Sequence, residues 1–247
     1  MELNNTIIKW VHSLERKKNR VAERCFVVEG TKCVLDTMNH FACRYLFATQ
    51  EWIDKHRVKA TSATKSQLER MSMLKTPTDV IAVYEFPDNE VDKQAVRSNL
   101  NIVLDNIQDP GNLGTIIRIA DWFGIRNIFC GDGTVDVYNP KVVQATMGAI
   151  SRVKVHYCSL PTLFEAFADM PVYGTFLDGD NLYDIELSEF GFVVMGNEGN
   201  GISAELEKYM TQRLLIPSYP AGEKTSESLN VGMATAITIS EFRRRIK

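Results

Sequence analysis

From residue 98 onward, short apolar strands alternate with helical segments, and this alternation restricts the chain to few folds. It predicts strands over 102–105, 126–130, 153–157, 172–177, 192–195 and 213–216, and helices over 113–123, 140–148, 163–170, 203–209 and 229–245. Strands separated by helices pair in parallel, with helices covering both faces of the sheet. The sequence therefore predicts an α/β domain with a mostly parallel sheet, whose ligands bind at the carboxyl ends of the strands.

The first 90 residues form a second, smaller α/β unit. Apolar patterns predict helices over 5–18, 31–39 and 64–71, and strands over 25–29, 44–48 and 80–86. After Pro87 the apolar content falls and charges accumulate, in the stretch PDNEVDKQAVRSN that ends at Asn99. Such a stretch is typical of a domain boundary. We therefore predict a front domain over 1–90 and a second domain over 98–247.

The two domains differ in the sign of their charge. The net charge is −3, but residues 1–98 hold 16 Lys and Arg against 13 Asp and Glu, whereas residues 99–247 hold 12 against 18. The densest basic cluster of the first half comprises residues 16–20 together with Arg24. It suits either the phosphates of a nucleic acid or a solvated helix end, and charge alone does not decide between them.

Composition disfavours several classes of protein. No apolar run approaches the roughly 20 residues that span a bilayer. The first residues lack the basic and apolar regions of an export signal, so we expect a cytoplasmic protein without a membrane segment. The five cysteines and four histidines are scattered without metal-ligand spacing. We therefore expect neither a metal site nor a disulfide framework.

A polar segment follows the first strand of the second domain, after a Pro-Gly pair that favours a turn. It contains Asn112, Gly114 and Arg118, of which the last two share a helix face because they are four residues apart. The guanidinium of Arg118 lies in an otherwise apolar helix and requires an anionic or polar partner. That partner is either a ligand or a surface acid such as Asp109 or Asp121.

A glycine-rich loop follows a later apolar strand. Three glycines occur within six residues in Gly196-Asn-Glu198-Gly-Asn-Gly201, so its backbone groups can line a pocket. The order G-x-x-G-x-G, late in the chain, differs from the dinucleotide-binding fingerprint, which requires G-x-G-x-x-G. Taken alone, the loop is also compatible with a tight turn that has no function.

A third segment connects the last strand to the terminal helix. It begins with Ile216-Pro217, continues through a polar loop and ends in Ser228-Leu229-Asn230. Ser228 or Asn230 is suited to begin the terminal helix, because short polar side chains accept hydrogen bonds from the first helical N–H groups. Taken alone, this segment is compatible with an ordinary helix cap.

Together, the three segments resemble the three motifs of the SpoU (TrmH-type) RNA methyltransferases, in the wider SPOUT superfamily. The resemblance covers residues 98–247 and rests on the order, spacing and strand-end placement of the segments. It implies a deep trefoil knot, in which the chain near 215–230 passes through an earlier loop, although knots are rare exceptions among folds. The stretch Arg24-Cys-Phe-Val-Val-Glu-Gly-Thr-Lys32 resembles, more loosely, the ribosomal-protein-like substrate-binding domain that precedes the catalytic domain in many members.

The resemblance also implies a reaction, a cofactor and a set of site residues. The reaction is methyl transfer from S-adenosylmethionine to a ribose 2′-hydroxyl of RNA, in a homodimer with its active site at the subunit interface. The cofactor-binding residues that it implies are Gly196, Ile216 and Leu229. The catalytic residues that it implies are Arg118 at the centre, with Asn112, Glu198, Ser228 and Asn230 around it. No metal is required, because a sulfonium is already a strong electrophile.

Two features of the site stay open at this stage. Arginine is an awkward general base because its side chain keeps its proton far above neutral pH, so Arg118 acts either as a base or as a clamp on phosphate or a developing oxyanion. The family usually has Met after the Ile-Pro pair and a shorter path to Ser-Leu-Asn, whereas this chain has Ser218 and a longer loop. We expect residues 218–226 to rearrange contacts at the outer edge of the cofactor.

Alternatives to a ribosomal RNA enzyme differ in what they require of the sequence. The two-domain arrangement favours ribosomal RNA, and the alternative is a transfer RNA ribose methyltransferase. A nucleotide-cofactor oxidoreductase requires an early Gly-rich turn and a ribose-binding acid, and neither is present. A non-catalytic RNA-binding protein on the same scaffold predicts loss of the polar motif residues, all five of which are retained. We therefore expect an enzyme.

Overall fold

The computed structural model describes residues 3–88, 90–220, 223 and 225–245. These residues form two compact units. The first contains the described parts of 1–88 and 136–151, and the second contains those of 89–135 and 152–247. The segment 136–151 therefore packs with the first unit, although it lies within the second half of the chain.

Twenty-one α-helices and β-strands follow one another along the described residues. They are α1 (Asn5–Ser13), α2 (Lys17–Glu23), β1 (Cys25–Glu29), α3 (Thr31–Thr37), β2 (Cys43–Ala48), α4 (Gln50–His56), β3 (Thr61–Ser62), α5 (Lys65–Met71), β4 (Val80–Glu85), α6 (Lys93–Arg97), β5 (Leu100–Leu104), α7 (Pro110–Trp122), β6 (Asn127–Cys130), α8 (Pro140–Thr146), β7 (Lys154–Tyr157), α9 (Leu160–Ala166), β8 (Val172–Asn181), β9 (Gly191–Met195), α10 (Ala204–Glu207), β10 (Gln212–Leu215) and α11 (Val231–Arg244).

The first unit is built on a four-stranded sheet in the order β1-β4-β2-β3. Strand β4 pairs antiparallel with β1 and β2, and β3 pairs parallel with β2. Helices α1 and α5 cover one face with an apolar cluster that includes Val11, Leu14 and Leu68. Tyr138, from the returning segment 136–151, packs its ring 4.6 Å from that of Phe26 on β1.

The predicted single helix over 5–18 is wrong, because α1 ends at Ser13 and α2 begins at Lys17. Side chains from α2 satisfy the carbonyl groups that a longer helix would use. The Asn19 amide donates to the Ser13 carbonyl at 2.7 Å, and the Arg20 guanidinium donates to the Leu14 carbonyl at 2.8 Å. These bonds provide the C-terminal partners that the end of a helix requires.

Arg20 is a structural residue rather than a free cation of the basic cluster. It is 2% exposed, and its guanidinium lies 2.6 Å from the Asp136 carboxylate. A buried ion pair of this kind is costly to break, because either partner alone would remain charged and desolvated. The cluster therefore presents Arg16, Lys17, Lys18 and Arg24 to solvent, but not Arg20.

The second unit contains a six-stranded sheet in the order β10-β8-β9-β5-β6-β7, in which every neighbouring pair is parallel. This confirms the predicted mostly parallel α/β sheet. The chain continues to one side of β5 through β6 and β7, whereas β8, β9 and β10 lie on its other side. The reversal occurs between β5 and β9, and a crevice at the carboxyl ends of such strands is where ligands bind in open α/β sheets.

Helices α7 and α11 lie side by side in the same direction. At their beginnings, a Cβ atom on Gly232 would lie 3.2 Å from the Thr115 methyl carbon, so the absence of a side chain permits the close approach. At their ends, the Arg243 guanidinium donates to the Phe123 carbonyl at 2.9 Å. The two helices therefore bring the first turn of each to the same end of the sheet.

Several elements differ from the sequence predictions. Residues 110–112, predicted as a turn, form the first turn of α7, because proline suits the first helical position and Asp109 caps the helix. Helix α6 lies within the stretch predicted as a linker, and Asp92 caps it. The rearranged contacts predicted for 218–226 and the chain passage predicted near 215–230 fall partly on Ala221, Gly222 and Lys224, which lie outside the described residues.

Two kinds of feature are not found among the described residues. None of their helices is both long and apolar enough to cross a membrane. Within the same residues, no three His, Cys, Asp or Glu side chains are grouped so that they could hold a metal ion.

The end of α11 carries a cluster of one carboxylate and two guanidinium groups. Glu241 is 5% exposed and accepts hydrogen bonds from Arg244 at 2.8 Å and Arg245 at 2.7 Å. The bond from Arg244, followed by that from Arg245, lowers the pKa of Glu241 to about 2. Arg245 also donates to the carbonyls of Leu182 and Tyr183, so the cluster ties the helix to the turn after β8.

We expect this cluster to make the stability of the fold pH-dependent in acid. The folded pKa of Glu241 lies below its ordinary value of 4.5, so the stabilisation is present above pH 4.5 and is lost as the pH falls toward 2. Glu241→Gln should lower Tm at pH 7 by about 2–4 °C and flatten the dependence of Tm on pH between 5 and 2. Thermal melts of both proteins at pH 7, 5 and 3 test this, and parallel curves would contradict it.

Candidate functional site

The loop after β5 leads directly into α7 and sets the position of Asn112. The Asp109 carboxylate accepts a hydrogen bond from the Asn112 backbone N–H at 2.8 Å, which caps the helix. The side chain of Asn112 consequently projects from the first turn of α7, at the carboxyl end of the sheet. The last residue before the loop is Leu104 of β5, so the site begins where the strand ends.

Three predicted site residues, one from each sequence segment, form a continuous hydrogen-bonded chain. The Asn230 amide donates to the Asn112 carbonyl oxygen at 2.9 Å, and the Asn112 amide donates to the Glu198 carboxylate at 2.5 Å. Asn112 and Asn230 are 118 positions apart along the chain, and Asn112 and Glu198 are 86 apart. The structure therefore brings Asn112, Glu198 and Asn230 together.

The direction of these hydrogen bonds is fixed from the beginning of α11. The Asn230 Oδ1 atom accepts the backbone N–H groups of Gly232 at 3.0 Å and Met233 at 3.3 Å. Because backbone N–H groups only donate, the Asn230 amide must point its nitrogen toward Asn112. Asn112 then presents its own nitrogen to Glu198, which must accept with a carboxylate oxygen. The helix cap thus orients the whole chain of side chains.

The Gly-rich loop after β9 is held by Asn197, which the sequence analysis did not single out. Its amide nitrogen donates to the Asn106 carbonyl at 2.8 Å. Its Oδ1 atom accepts from the backbone N–H groups of Gly199 at 2.9 Å and Asn200 at 3.2 Å. One side chain therefore shapes the turn that carries Glu198 and fastens it to the loop after β5.

Asp105 provides a second tie between these loops. Its carboxylate accepts the Ser203 backbone N–H at 2.7 Å, and its own N–H donates to the Met195 carbonyl at 3.0 Å. Asn106, the next residue, has a φ of 59°, a left-handed conformation that asparagine adopts more readily than most residues. The side of the crevice between β5 and β9 is thus built from closely tied polar loops.

Arg118 and Ser228 are not joined to this chain of hydrogen bonds. Both are exposed, and neither side chain makes a hydrogen bond or an ion pair with another described residue. Of the two surface acids that were candidate partners for Arg118, Asp109 caps α7 and Asp121 pairs with Arg126 and Arg152. The guanidinium of Arg118 is therefore free to contact a ligand.

The three residues expected to bind the cofactor carry unpaired backbone groups. Gly196 directly follows β9 and Ile216 directly follows β10, and both are half-buried, whereas Leu229 precedes the cap of α11 and is 48% exposed. The N–H and C=O groups of all three make no hydrogen bond to other described residues. Unpaired backbone N–H and C=O groups are available to a ligand, so this arrangement suits a cofactor recognised largely through the backbone.

Comparison with known proteins identifies the chain. The sequence model of the SpoU rRNA methylase family matches residues 99–240, and that of the MRM3-like substrate binding domain matches residues 5–82. The chain belongs to the SpoU rRNA methylase family. This SpoU protein is thus an S-adenosylmethionine-dependent RNA 2′-O-ribose methyltransferase, which confirms the enzyme class and the cofactor that the sequence predicts.

Relatives of this SpoU enzyme extend over both units. A 23S rRNA (guanosine(2553)-2′-O)-methyltransferase, RlmP from Bacillus subtilis, is 30% identical over 97% of this chain and 96% of its own. A structure from Porphyromonas gingivalis, assigned to the TrmH family of RNA methyltransferases, is 40% identical over the whole of both chains, with a TM-score of 0.89. An AdoMet-bound rRNA methyltransferase from Sinorhizobium meliloti is 27% identical over 100% of this chain and 97% of its own, with a TM-score of 0.85.

The hydrogen bonds made by the Asn197 side chain lead to a prediction. Asn197→Ala removes three hydrogen bonds that hold the turn beneath Glu198, so kcat should fall about 10-fold. The matched control is Asn200→Ala, in the same loop, since the Asn200 side chain is exposed and bonds to no described residue. Steady-state methylation with both substrates saturating separates the two variants, and equal kcat values for them would refute the role of Asn197.

Proposed function

We propose that this enzyme methylates a ribose 2′-hydroxyl of ribosomal RNA. The observation that carries the proposal is the match of both parts of the chain at once, the methylase region at 99–240 and the substrate-binding region at 5–82. Two of the relatives aligned over nearly the full chain are named as enzymes acting on 23S rRNA or rRNA. Bacteria keep ribosomal RNA and S-adenosylmethionine in the cytoplasm, and because these relatives are bacterial, we propose this location for the enzyme.

The residues near the crevice have different roles in the reaction. The cofactor supplies a methyl group on a positively charged sulfur. We assign Gly196, Ile216 and Leu229 to bind it through their unpaired backbone groups. We assign the free guanidinium of Arg118, a group that only donates hydrogen bonds, to hold the phosphate beside the target ribose or its developing oxyanion.

Glu198 is suited to orient the hydroxyl that is methylated. One of its carboxylate oxygens accepts the Asn112 amide, and the other makes no hydrogen bond to a described residue. When a carboxylate is held in this way, its second oxygen can accept the proton of a hydroxyl group. The same contact directs a lone pair of the hydroxyl oxygen at a neighbouring electrophile. Asn112 and Asn230 then hold Glu198 in place, and the exposed Ser228 hydroxyl provides a further contact for the ribose.

We propose that the active form is a homodimer that pairs through α7 and α11. These helices carry exposed apolar side chains, of which Trp122 is 85% exposed and Met233 is 64% exposed. Large exposed apolar side chains on adjoining helices are typical of an interface. Light scattering of the purified chain should give twice the mass of a protomer, and Trp122→Asp should reduce that mass toward one protomer.

Incubation with S-adenosylmethionine carrying a labelled methyl group tests the proposed substrate. Purified large-subunit RNA, small-subunit RNA and transfer RNA are supplied separately, and label in ribosomal RNA alone is expected. The labelled nucleotide is then located by its resistance to alkaline hydrolysis, which a 2′-O-methyl group confers. Label in transfer RNA but not in ribosomal RNA would overturn the proposed substrate, while leaving the family and reaction type intact.

A further inference from the structure

The loop between β10 and α11 exposes an aromatic side chain. Tyr219 is 92% exposed, the highest value for a large hydrophobic side chain among the described residues. Its ring and hydroxyl make no contact of the hydrogen-bond or ring-stacking kind with the rest of the described chain. A tyrosine ring has a large flat apolar face, so an exposed and unpartnered ring is available to stack on a flat ligand.

The backbone on either side of Tyr219 is stiff. Pro217 and Pro220 each fix their own φ, and a residue before proline is restricted to extended conformations. Ile216 and Tyr219 both precede a proline, so four of the five residues over 216–220 have restricted backbones. A ring presented on a restricted backbone loses little conformational entropy when a ligand stacks on it.

The segment that carries Tyr219 leaves the sheet at the same edge as the loop with the proposed methyl-transfer site. Tyr219 is four residues beyond Leu215, the last residue of β10, and an extended stretch of that length spans at most about 14 Å. Strand β10 is separated from β9 by β8 alone, which places the ends of β10 and β9 about 10 Å apart. The Gly-rich loop with Glu198 begins at the end of β9, within reach of the same nucleotide or its neighbour.

We propose that Tyr219 stacks on an unpaired nucleobase of the RNA, either that of the target nucleotide or one beside it. The inference rests on the proposed function, in which the enzyme acts on a ribose of RNA. Every nucleotide of RNA has a ribose, so the choice of one nucleotide requires contacts with its base. Single-stranded RNA is recognised by stacking of splayed bases on aromatic side chains.

Binding of a single-stranded oligoribonucleotide that contains 2-aminopurine tests the inference. Wild type and Tyr219→Phe, which keeps the ring, should quench the fluorescent base and bind with similar affinity. Tyr219→Ala should abolish the quenching and weaken RNA binding about 5- to 100-fold. The affinity for S-adenosylmethionine should change less than about 2-fold. Leu177→Ala, which alters another exposed side chain of the same unit, serves as the control and should bind as wild type does.

The outcomes separate this inference from the proposed function. Unchanged RNA affinity and quenching in Tyr219→Ala would overturn the stacking role, even if the enzyme methylates ribosomal RNA. A loss of dimer mass in Tyr219→Ala would also overturn it and would assign the ring to a contact between protomers. Failure of the wild type to methylate any RNA would instead reject the proposed function, while the fluorescence result would still decide whether the ring binds a base.

Discussion

Arg118→Lys is expected to lower kcat/KM for RNA at least about 100-fold while leaving the affinity for S-adenosylmethionine within about 3-fold. A lysine keeps the positive charge but loses the planar pair of donors that holds a phosphate or an oxyanion. Arg118 is exposed and bonds to no described residue, so its replacement should not disturb folding. Methylation rates, calorimetric cofactor binding and a thermal melt together measure these three effects.

The matched control for Arg118 lies beyond the end of the same helix. Arg126 is also exposed and makes only long contacts, of 3.4 Å with Asp121 and 3.5 Å with the Arg152 carbonyl, so Arg126→Lys should retain wild-type turnover. If Arg118→Lys keeps more than about a third of wild-type activity, Arg118 does not stabilise the reacting groups. If both variants lose activity equally, the loss reflects the basic surface of the unit rather than one catalytic guanidinium.

The convergence of the three segments was predictable because it depends on topology. Parallel strands end at the same edge of a sheet, so loops that follow β5, β9 and β10 must meet there. The contact of Asn112 with both Glu198 and Asn230 realises this expectation in atomic detail. The existence of the strands and their succession along the chain follow from apolar periodicity, which is a local property that a sequence displays directly.

Features that depend on distant partners were not predictable. The break after Ser13 depends on Arg20, whose guanidinium is held by Asp136 from 116 positions away. Strand β8 continues beyond the predicted 177 to Asn181, because the polar residues Asp180 and Asn181 pair with β10 after a bulge. Neither partner is visible in a local window, since an arginine in a basic run and an aspartate after an apolar run are both typical of exposed positions.

The importance of Asn197 was hidden for a related reason. An asparagine among glycines is typical of any turn, because its side chain readily bonds to backbone two residues ahead. The additional bond to Asn106, across the crevice, distinguishes it from an ordinary turn residue. A sequence signal for it would require knowledge that the loops after β5 and β9 are adjacent, which the strand order provides and the motif does not.

Gly196→Ala is expected to abolish measurable activity and to weaken cofactor binding at least about 10-fold. A Cβ atom at Gly196 would lie 2.5 Å from the Gly201 carbonyl oxygen and closer still to the Gly201 carbonyl carbon. Both are backbone atoms, which cannot rotate aside as the end of a side chain can. The turn would have to open where Asn197 and Gly201 exchange two backbone hydrogen bonds of 2.9 Å.

Gly199→Ala, in the same turn, separates this steric effect from a general intolerance of the loop. A Cβ atom there would meet only the Asn197 side-chain oxygen, at an ordinary 3.5 Å, and the Gly199 N–H that bonds to Asn197 would remain. Gly199→Ala should therefore bind S-adenosylmethionine within about 3-fold of wild type. Calorimetry of both variants, with thermal melts to confirm folding, measures the difference. The backbone turn at Gly196 follows the end of β9 and carries a proposed cofactor contact. Equal affinity of Gly196→Ala and Gly199→Ala for S-adenosylmethionine would therefore place the cofactor away from this loop.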